Sequence, residues 1–295
     1  MVADVEPAPG SILAPVGRQA AVLNWTAPRP RLLTSLQPPS YAADLDVSPT
    51  GQVAVEVRDT TGGDIARLDL ASGTLSPLVS RADAGESLSL PVWQADGSQL
   101  VFERDDVRQP GLAYAGQANV RYPSRLEAVQ ADGSGRTVLV DDGRMPAVAP
   151  GGDELAYVRS ASSGTALRVH NLTSGDEREL IPSSRFRDVA YPRYAPDGST
   201  LAFVATSSFV GQLLFGVRLD LAHGLPWDVW LIDPRGGEPR QLAALGLDDP
   251  SVVWSPDGRQ LFVYSGTGSA LIDVATQAVA RYDYLAGYGA AAWMP

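Results

Sequence analysis

The chain has 295 residues, contains no cysteine and no lysine, and carries a formal net charge of −11 at pH 7. The acidic surplus argues against general binding to nucleic acid or to an anionic membrane surface, because both need basic residues. Without cysteine there are no disulfides, zinc–thiolate sites or cysteine nucleophiles. No apolar run reaches the roughly 18 residues of a membrane-spanning helix, and residues 1–4 begin no signal peptide.

One pattern recurs five times along the chain. An apolar stretch leads into Pro-Asp-Gly or a near relative, and a strand of alternating apolar residues follows. The anchor glycines are, in chain order, Gly51, Gly97, Gly152, Gly198 and Gly258. They lie 46 to 60 residues apart, which is typical of propeller blades of four short strands. In such a turn proline ends the inner strand, aspartate accepts hydrogen bonds from nearby amides, and glycine takes the positive-φ position.

A second half-motif follows each anchor. It consists of an alternating strand, a polar turn and a further strand, which predicts the two outer strands of a blade. The large residue four places before an anchor glycine should end the inner strand and pack between blades, as Trp93, Tyr194 and Trp254 would.

The two ends of the sequence supply a sixth blade. Residues of about 287–295, which contain Trp293, are predicted to form its inner strand, and residues of about 8–35 its three outer strands. This clasp would leave no open sheet edge. The other predicted blades are about 42–80, 88–140, 145–182, 190–243 and 250–284. The sequence therefore predicts one all-β domain, a six-bladed propeller of four-stranded antiparallel blades.

The repeat resembles that of the TolB-like (PD40) propellers. The resemblance is carried by Trp254-Ser-Pro-Asp-Gly258-x-x-Leu261, by strands containing Ile-Asp, and by the turn from Gly236 to Leu242. It implies a six-bladed propeller of bacterial type outside the cytoplasm, periplasmic or secreted. TolB carries an additional α/β domain, and related propellers precede a peptidase domain. Nothing in this chain is similar to either, so their functional residues do not carry over.

Two blades depart from the minimal repeat, both between their second and third strands. The insertions span about 104–125 in blade 2 and about 207–227 in blade 4. In a propeller these loops share one face with the blade-to-blade loops, while the Pro-Asp-Gly turns lie on the opposite face. Long loops on a rigid scaffold are where binding residues concentrate.

The candidate ligand- or partner-binding residues are arginines, aromatics and one histidine in these insertions and in the blade-to-blade loops. They are Arg104, Arg108, Tyr114, Arg121, Tyr122, Arg144, Arg187, Tyr191, Phe209, Phe215, His223, Trp227 and Tyr288. Arginines with tyrosines suit a peptide, carboxylate or sugar ligand, whereas the simpler interpretation is solvated loop charge. The apolar insertion of blade 4 is either packed on its blade or exposed as a partner surface.

Candidate cation ligands are the loop aspartates, although no EF-hand spacing is present. They are Asp44, Asp142, Asp188 and Asp249. A calcium or magnesium ion at the channel mouth is one option, and no cofactor at all is the other.

Catalytic motifs are scarce. The histidines are His170, predicted to be structural, and His223, and there is no Gly-x-Ser-x-Gly, His-Glu-x-x-His or P-loop sequence. We therefore expect a non-catalytic binding, scaffold or sensor propeller that recognises a protein, peptide or envelope glycan. The alternatives are a carbohydrate- or lactone-active enzyme with channel carboxylates, and a regulatory domain of a larger receptor or lipoprotein.

Overall fold

The computed structural model describes residues 10–25, 29–108, 112–113, 120–161, 164–206 and 226–294. Within these ranges all regular structure is β-strand, and none of the described segments is a helix long and apolar enough to cross a membrane. In chain order the strands are β1 (Ser11–Val16), β2 (Gln19–Leu23), β3 (Arg31–Leu32), β4 (Tyr41–Val47), β5 (Val53–Arg58), β6 (Gly63–Leu68), β7 (Leu75–Val79), β8 (Glu86–Trp93), β9 (Gln99–Asp106), β10 (Leu112–Ala113), β11 (Val120–Arg121), β12 (Ser124–Gln130), β13 (Thr137–Asp141), β14 (Arg144–Val148), β15 (Glu154–Ala161), β16 (Gly164–Asn171), β17 (Glu177–Ile181), β18 (Val189–Tyr194), β19 (Leu201–Thr206), β20 (Trp227–Ile232), β21 (Arg240–Leu247), β22 (Ser251–Trp254), β23 (Gln260–Ser265), β24 (Gly268–Asp273), β25 (Val279–Tyr282) and β26 (Ala292–Met294).

These strands form six four-stranded antiparallel sheets, the blades of a six-bladed propeller. From the inner to the outer edge, blade 1 is β4-β5-β6-β7, blade 2 is β8-β9-β12-β13 and blade 3 is β14-β15-β16-β17. Blade 4 is β18-β19-β20-β21, and blade 5 is β22-β23-β24-β25. A separate hairpin, β10-β11, lies in the connection between the second and third strands of blade 2. The predicted fold class is confirmed.

Blade 6 has the order β26-β1-β2-β3, so it takes its inner strand from one end of the chain and the rest from the other. Ile12 pairs with Trp293 across the junction. The Trp293 ring lies 5.6 Å from the ring of Trp25, which also contacts Phe262 of blade 5 at 5.4 Å. The predicted clasp is therefore present, and its indole packs into the space between blades 5 and 6.

The turns between inner and second strands have the predicted chemistry. Gly97 and Gly258 both have φ of +70°, and the amide of each donates a hydrogen bond to the carbonyl three residues earlier. Asp96 Oδ1 accepts a hydrogen bond of 2.9 Å from the Ser98 amide, which closes the turn on its polar side. These turns define the turn face of the propeller. The opposite face, with the second-to-third strand and blade-to-blade connections, is called the mouth face.

The cores lie between neighbouring blades. Trp93, Tyr194 and Trp254 end the inner strands of blades 2, 4 and 5, as predicted. The indole Nε1 of Trp254 donates a hydrogen bond of 3.0 Å to the Arg193 carbonyl of blade 4, so this position joins two blades by a polar contact as well as by packing.

Candidate functional site

A bulge interrupts the inner strands of blades 1 to 4, and in three of them it places an unusual residue beside the channel. Leu90, Met145 and Tyr191 have φ of +51°, +51° and +48°, and each precedes a proline. The strand register shifts at each of these points. A left-handed conformation is costly for such side chains, so the surrounding structure has to hold it. Proline tolerates the interrupted ladder because it has no amide to pair.

The bulged side chains fill the centre of the channel. Leu90 of blade 2, Tyr191 of blade 4 and Ala290 of blade 6 belong to one buried cluster, and Met145 of blade 3 packs against it. Blades 2 and 6 share no boundary, so a cluster that contains residues of both reaches across the propeller axis. We call Leu90, Met145, Tyr191 and Ala290 the channel plug. The plug therefore places apolar side chains in the channel.

Above the plug lies the channel mouth, which we define as Asp44, the Tyr191 hydroxyl, Asp248, Asp249 and Tyr288. Asp44 is buried, and its Oδ1 accepts a hydrogen bond of 2.6 Å from the Ala290 amide. Burial has the largest effect on Tyr191 and raises its pKa well above 10, and the carboxylates of Asp249 and Asp44 add to the shift. The pKa of Asp249 is raised by desolvation from the surrounding protein atoms and by the charges of Asp248 and Asp44. The residue is nevertheless exposed at the surface. Tyr191 and Asp249 are therefore close enough to the neighbouring aspartates for their pKa values to respond to those charges.

Tyr288 forms one side of the mouth. Its ring is 56% exposed, and its hydroxyl donates a hydrogen bond of 3.0 Å to Asp248 Oδ2. A Cβ atom on Gly266 would lie 2.2 Å from the Tyr288 ring, so only glycine at position 266 lets the ring sit there. Tyr288 is thus an exposed aromatic ring held in a fixed place.

Two buried acid clusters flank the mouth. Glu56 is fully buried, with Arg58 Nε 2.7 Å from its Oε1, and burial together with Asp44 raises its pKa well above the usual value. In blade 2, burial and then the neighbouring Glu103 raise the pKa of Asp105. These arginine-bearing clusters are interior, and Glu56 Oε2 and Asp105 Oδ1 are buried without a hydrogen-bond partner among the described residues.

Glu103 shows what such a buried carboxylate does in the fold. Its Oε1 lies 2.9 Å from Arg144 Nη2, and its Oε2 accepts a hydrogen bond of 2.9 Å from the Met145 amide. The bulge in β14 removes Met145 from the strand ladder, and the carboxylate of the preceding blade satisfies the freed amide.

Asp46 and Arg193 occupy the channel on the turn-face side of the plug. Asp46 Oδ2 accepts a hydrogen bond of 2.6 Å from the Trp93 amide. Burial raises the pKa of Asp46 to about 6, with Arg193 opposing the shift. Arg193 Nη1 donates to the carbonyls of Pro146 and Pro192 at 3.2 and 3.0 Å. The charged side chains below the plug are thus tied to the walls.

Several arginines proposed from the sequence are structural partners of acids. Arg104 is largely buried and its Nε lies 3.0 Å from Glu86 Oε1. Arg144 binds Glu103, and its Nη1 also donates to the Tyr122 carbonyl at 3.3 Å. Arg108 is exposed and contacts Asp106 and Asp83. The guanidinium groups of these arginines are thus engaged by acids of the same chain.

The remaining candidates are scattered or lie elsewhere. Arg187 is half-buried before β18, and Trp227 begins β20 and packs against the cluster that contains the plug. Asp142 faces Arg159 at 4.0 Å, and Asp188 is buried in blade 4. The following predicted candidates fall outside the described residues: Tyr114, the side chain of Arg121, Phe209, Phe215 and His223. In the part of the chain that is described, no three His, Asp or Glu side chains are grouped to hold a metal ion.

One placement made from the sequence was wrong. Several residues expected in blade-to-blade loops are instead strand residues, because the inner strands begin before their bulges and extend further towards the mouth face than the repeat suggests. They are Asp44, Arg144 and Tyr191. The insertions are likewise shorter than expected, because Arg104, Asp105 and Asp106 belong to β9 and Trp227 to β20.

Two buried glutamates near the mouth, Glu56 and Glu103, were not predicted from the sequence. In each blade the last residue of the inner strand pairs with a residue of the second strand. Glu56 and Glu103 each lie three residues after that paired residue in the second strand. The same place holds Val158 in blade 3 and Val204 in blade 4. An acid where sister repeats carry valine is a signal that alignment of the repeats by strand register would have revealed.

Two grooves lie away from the mouth, between blades 4 and 5. One, of about 410 Å³, lies against the outer strands near Leu242 and Arg281. The other, of about 370 Å³, lies between the turns that contain Asp197 and Asp257. Both are lined by ordinary repeat positions, so they provide no distinct chemistry.

Comparison with solved structures finds the same propeller architecture in TolB proteins and in a nidogen/laminin complex. TolB from Acinetobacter baumannii superposes with a TM-score of 0.72 at 15% identity, over 97% of this chain and 67% of the other. A putative TolB from Agrobacterium tumefaciens gives 0.67 at 14%, over 97% and 98% of the two chains. A chain of a nidogen/laminin complex gives 0.69 at 13%, over 97% and 98%.

At these identities the likeness concerns the fold, which is the TolB-like six-bladed propeller that the repeat predicted. No protein-family model and no curated protein sequence matches the chain.

Proposed function

We propose that the chain is a non-catalytic binding propeller that recognises a protein or peptide at the channel mouth. The observation that carries this proposal is an exposed aromatic ring beside an exposed acid at the channel mouth. The Tyr288 ring, whose hydroxyl is bonded to Asp248, and the carboxylate of Asp249 are both exposed there, next to the apolar side chains of the plug. Exposed aromatic side chains beside polar groups are typical of binding surfaces.

The fold is consistent with this proposal. One solved structure with the same architecture comes from a complex of nidogen with laminin, so the scaffold is found in a protein–protein complex. The likeness to TolB proteins supports, as part of the same proposal, an extracytoplasmic location.

An enzymatic role is less well supported. Three carboxyl groups have a pKa that is raised beside another acid. Asp105 and Glu56 are nine-tenths or more buried, whereas Asp249 is exposed. Glu103, next to Asp105, is held by Arg144 and by the Met145 amide. A substrate would have to displace these contacts before reaching either acid, whereas catalytic groups need access to the reacting atoms.

A displayed random-peptide library tests the proposal. Peptides selected on the immobilised protein should lose at least about tenfold in affinity with Tyr288→Ala. Tyr284→Ala is the matched control, because Tyr284 lies on the same connection, is 55% exposed and contacts Tyr282 instead of the mouth. Peptides that bind Tyr288→Ala as well as the wild type, or turnover of a glycan or lactone panel, would contradict the proposal.

A further inference from the structure

The channel mouth has more acids than bases. Asp44, Asp248 and Asp249 belong to it, whereas the arginines nearby serve other groups. Arg58 lies against Glu56, Arg144 against Glu103, and Arg193 donates to backbone carbonyls below the plug. Arg58 and Arg193 also lie close enough to Asp44 to interact with its charge, so the negative charge that the mouth presents is mainly that of Asp248 and Asp249.

The Tyr191 hydroxyl points independently to a ligand. Tyr191 is 9% exposed, and its hydroxyl makes no hydrogen bond with any described residue. The charges that act on it most are those of Asp249 and Asp44. The hydroxyl is not among the enclosed side-chain atoms that lack a partner, so it is accessible, and its oxygen suits a ligand that donates hydrogen bonds.

Tyr288 adds an aromatic face to the same opening. Its hydroxyl is bonded to Asp248, so the ring is fixed beside a carboxylate and remains half-exposed. Cations bind favourably over the face of a tyrosine ring, and more strongly when carboxylates are adjacent.

We propose that the channel mouth takes the cationic side chain of a partner polypeptide, a guanidinium in preference to an ammonium group. This inference rests on the proposed function, since it names the partner chemistry of the same site. The guanidinium lies on the Tyr288 ring, pairs with Asp248 and Asp249, and donates to the Tyr191 hydroxyl oxygen. Its planar set of donors can satisfy these groups together, which a compact ammonium group does less well.

The architecture explains why a side chain is the occupant. Leu90, Met145 and Ala290 place apolar side chains in the channel next to the mouth, so a polar ligand approaches from the mouth face. A protruding arginine can reach the mouth while the rest of its polypeptide stays outside it. The net charge of −11 steers a basic partner towards the protein at low ionic strength.

The test uses N-acetyl-arginine amide as the probe and N-acetyl-citrulline amide as its neutral isostere, followed by NMR titration of the whole chain. We expect saturable shifts at the mouth for the arginine probe, binding at least about tenfold weaker for citrulline, and intermediate binding for N-acetyl-lysine amide. Asp249→Asn should weaken the arginine probe about tenfold. Tyr191→Phe should weaken it less, because it removes one acceptor and no charge.

Asp283→Asn is the matched control, since Asp283 is an exposed acid at the outer end of the connection that carries Tyr288. Equal binding of arginine and citrulline probes, or equal losses in Asp249→Asn and Asp283→Asn, would overturn the inference. Library peptides that depend on Tyr288 but carry no basic residue would overturn it while leaving the proposed function intact. Peptides that ignore Tyr288 would instead contradict the proposed function.

Discussion

The pKa values of individual carboxyl groups in this propeller are shifted in opposite directions by their surroundings. Asp96 and Asp197 cap exposed turns, and hydrogen bonds from Ser98 and Ser199 lower their pKa values. Asp46 has the opposite environment, because burial in the channel raises its pKa to about 6. The same residue type therefore stabilises the fold at neutral pH in a turn and opposes it inside the channel.

Asp46 predicts a pH dependence of stability. In the unfolded chain it ionises near pH 4, and in the folded protein near pH 6. Its contribution therefore favours the folded state below about pH 4 and is lost as the pH rises to 6, by at most about 1.4 kcal/mol per pH unit. In Asp46→Asn this loss is absent, so the variant should gain stability relative to the wild type between pH 4 and 6.

Urea unfolding at several pH values measures the difference, and any constant offset from the loss of the Arg193 interaction does not affect its slope. Asp197→Asn serves as the control and should show no gain over this range. A difference between Asp46→Asn and wild type that stays flat from pH 4 to 6 would show that Asp46 ionises normally in the channel.

At the level of elements, the inner strands combine two demands. Each ends in a turn that the repeat specifies, and those of blades 2 to 4 also bend their middle to place a side chain on the axis. The turns could be predicted because Pro-Asp-Gly has its own local conformation. The bulges could not, because a dipeptide such as Leu90-Pro91 also suits an ordinary edge strand, and the channel packing that holds the left-handed residue is not local.

The left-handed conformation of Leu90 predicts an unusual order of stability for the alanine and glycine variants at this position. Leu90→Ala should lower the free energy of unfolding by about 2–4 kcal/mol, because it leaves a void in the channel plug. Leu90→Gly should be no worse than Leu90→Ala, since glycine relieves roughly 1 kcal/mol of left-handed strain at φ +51°. At Leu100, which is fully buried in β9, the order should be reversed and glycine should be the worse of the two.

Urea denaturation of the alanine and glycine variants at Leu90 and at Leu100 measures these differences in the free energy of unfolding. If glycine is less stable than alanine by the same margin at both positions, the strand at Leu90 is not held in the left-handed conformation.

For the whole molecule, closure is the main structural requirement. Each blade buries its faces against two neighbours, and blade 6 exists only when β26 meets β1. The Trp293 indole packs against Trp25 in the core between blades 5 and 6. This indole therefore links the packing of one blade to the closure of the ring.

Trp293→Ala should cost about 3–5 kcal/mol, as for other buried tryptophans. Trp254→Ala is the matched control, with 7% exposure against 6% for Trp293. Both should lower stability, but only Trp293→Ala should raise amide hydrogen exchange selectively in β1 and β2, because it loosens the clasp. Uniform acceleration in both variants would show that the clasp does not depend on this side chain.

Much of the ring was predictable from the sequence, since five anchors and two complementary ends specify six blades. The channel mouth was less so. Tyr288 and Asp249 were predicted to lie in loops, and they do, but their closeness to Tyr191 depends on residues from different blades meeting at the axis. The arginines were overvalued as ligands, because Arg104 and Arg144 pair with acids that adjoin them only in the folded strands.

The clasp also has a consequence for the order of events during synthesis. β1 is made early but acquires its inner partner only when β26 emerges from the ribosome, after five other blades have had time to form. Until then the edge of β1 is an unpaired strand, open to pairing with another nascent chain. Closure is a contact between the distant ends of the described chain, so it is expected to be the slow step of folding and the stage most dependent on chaperones.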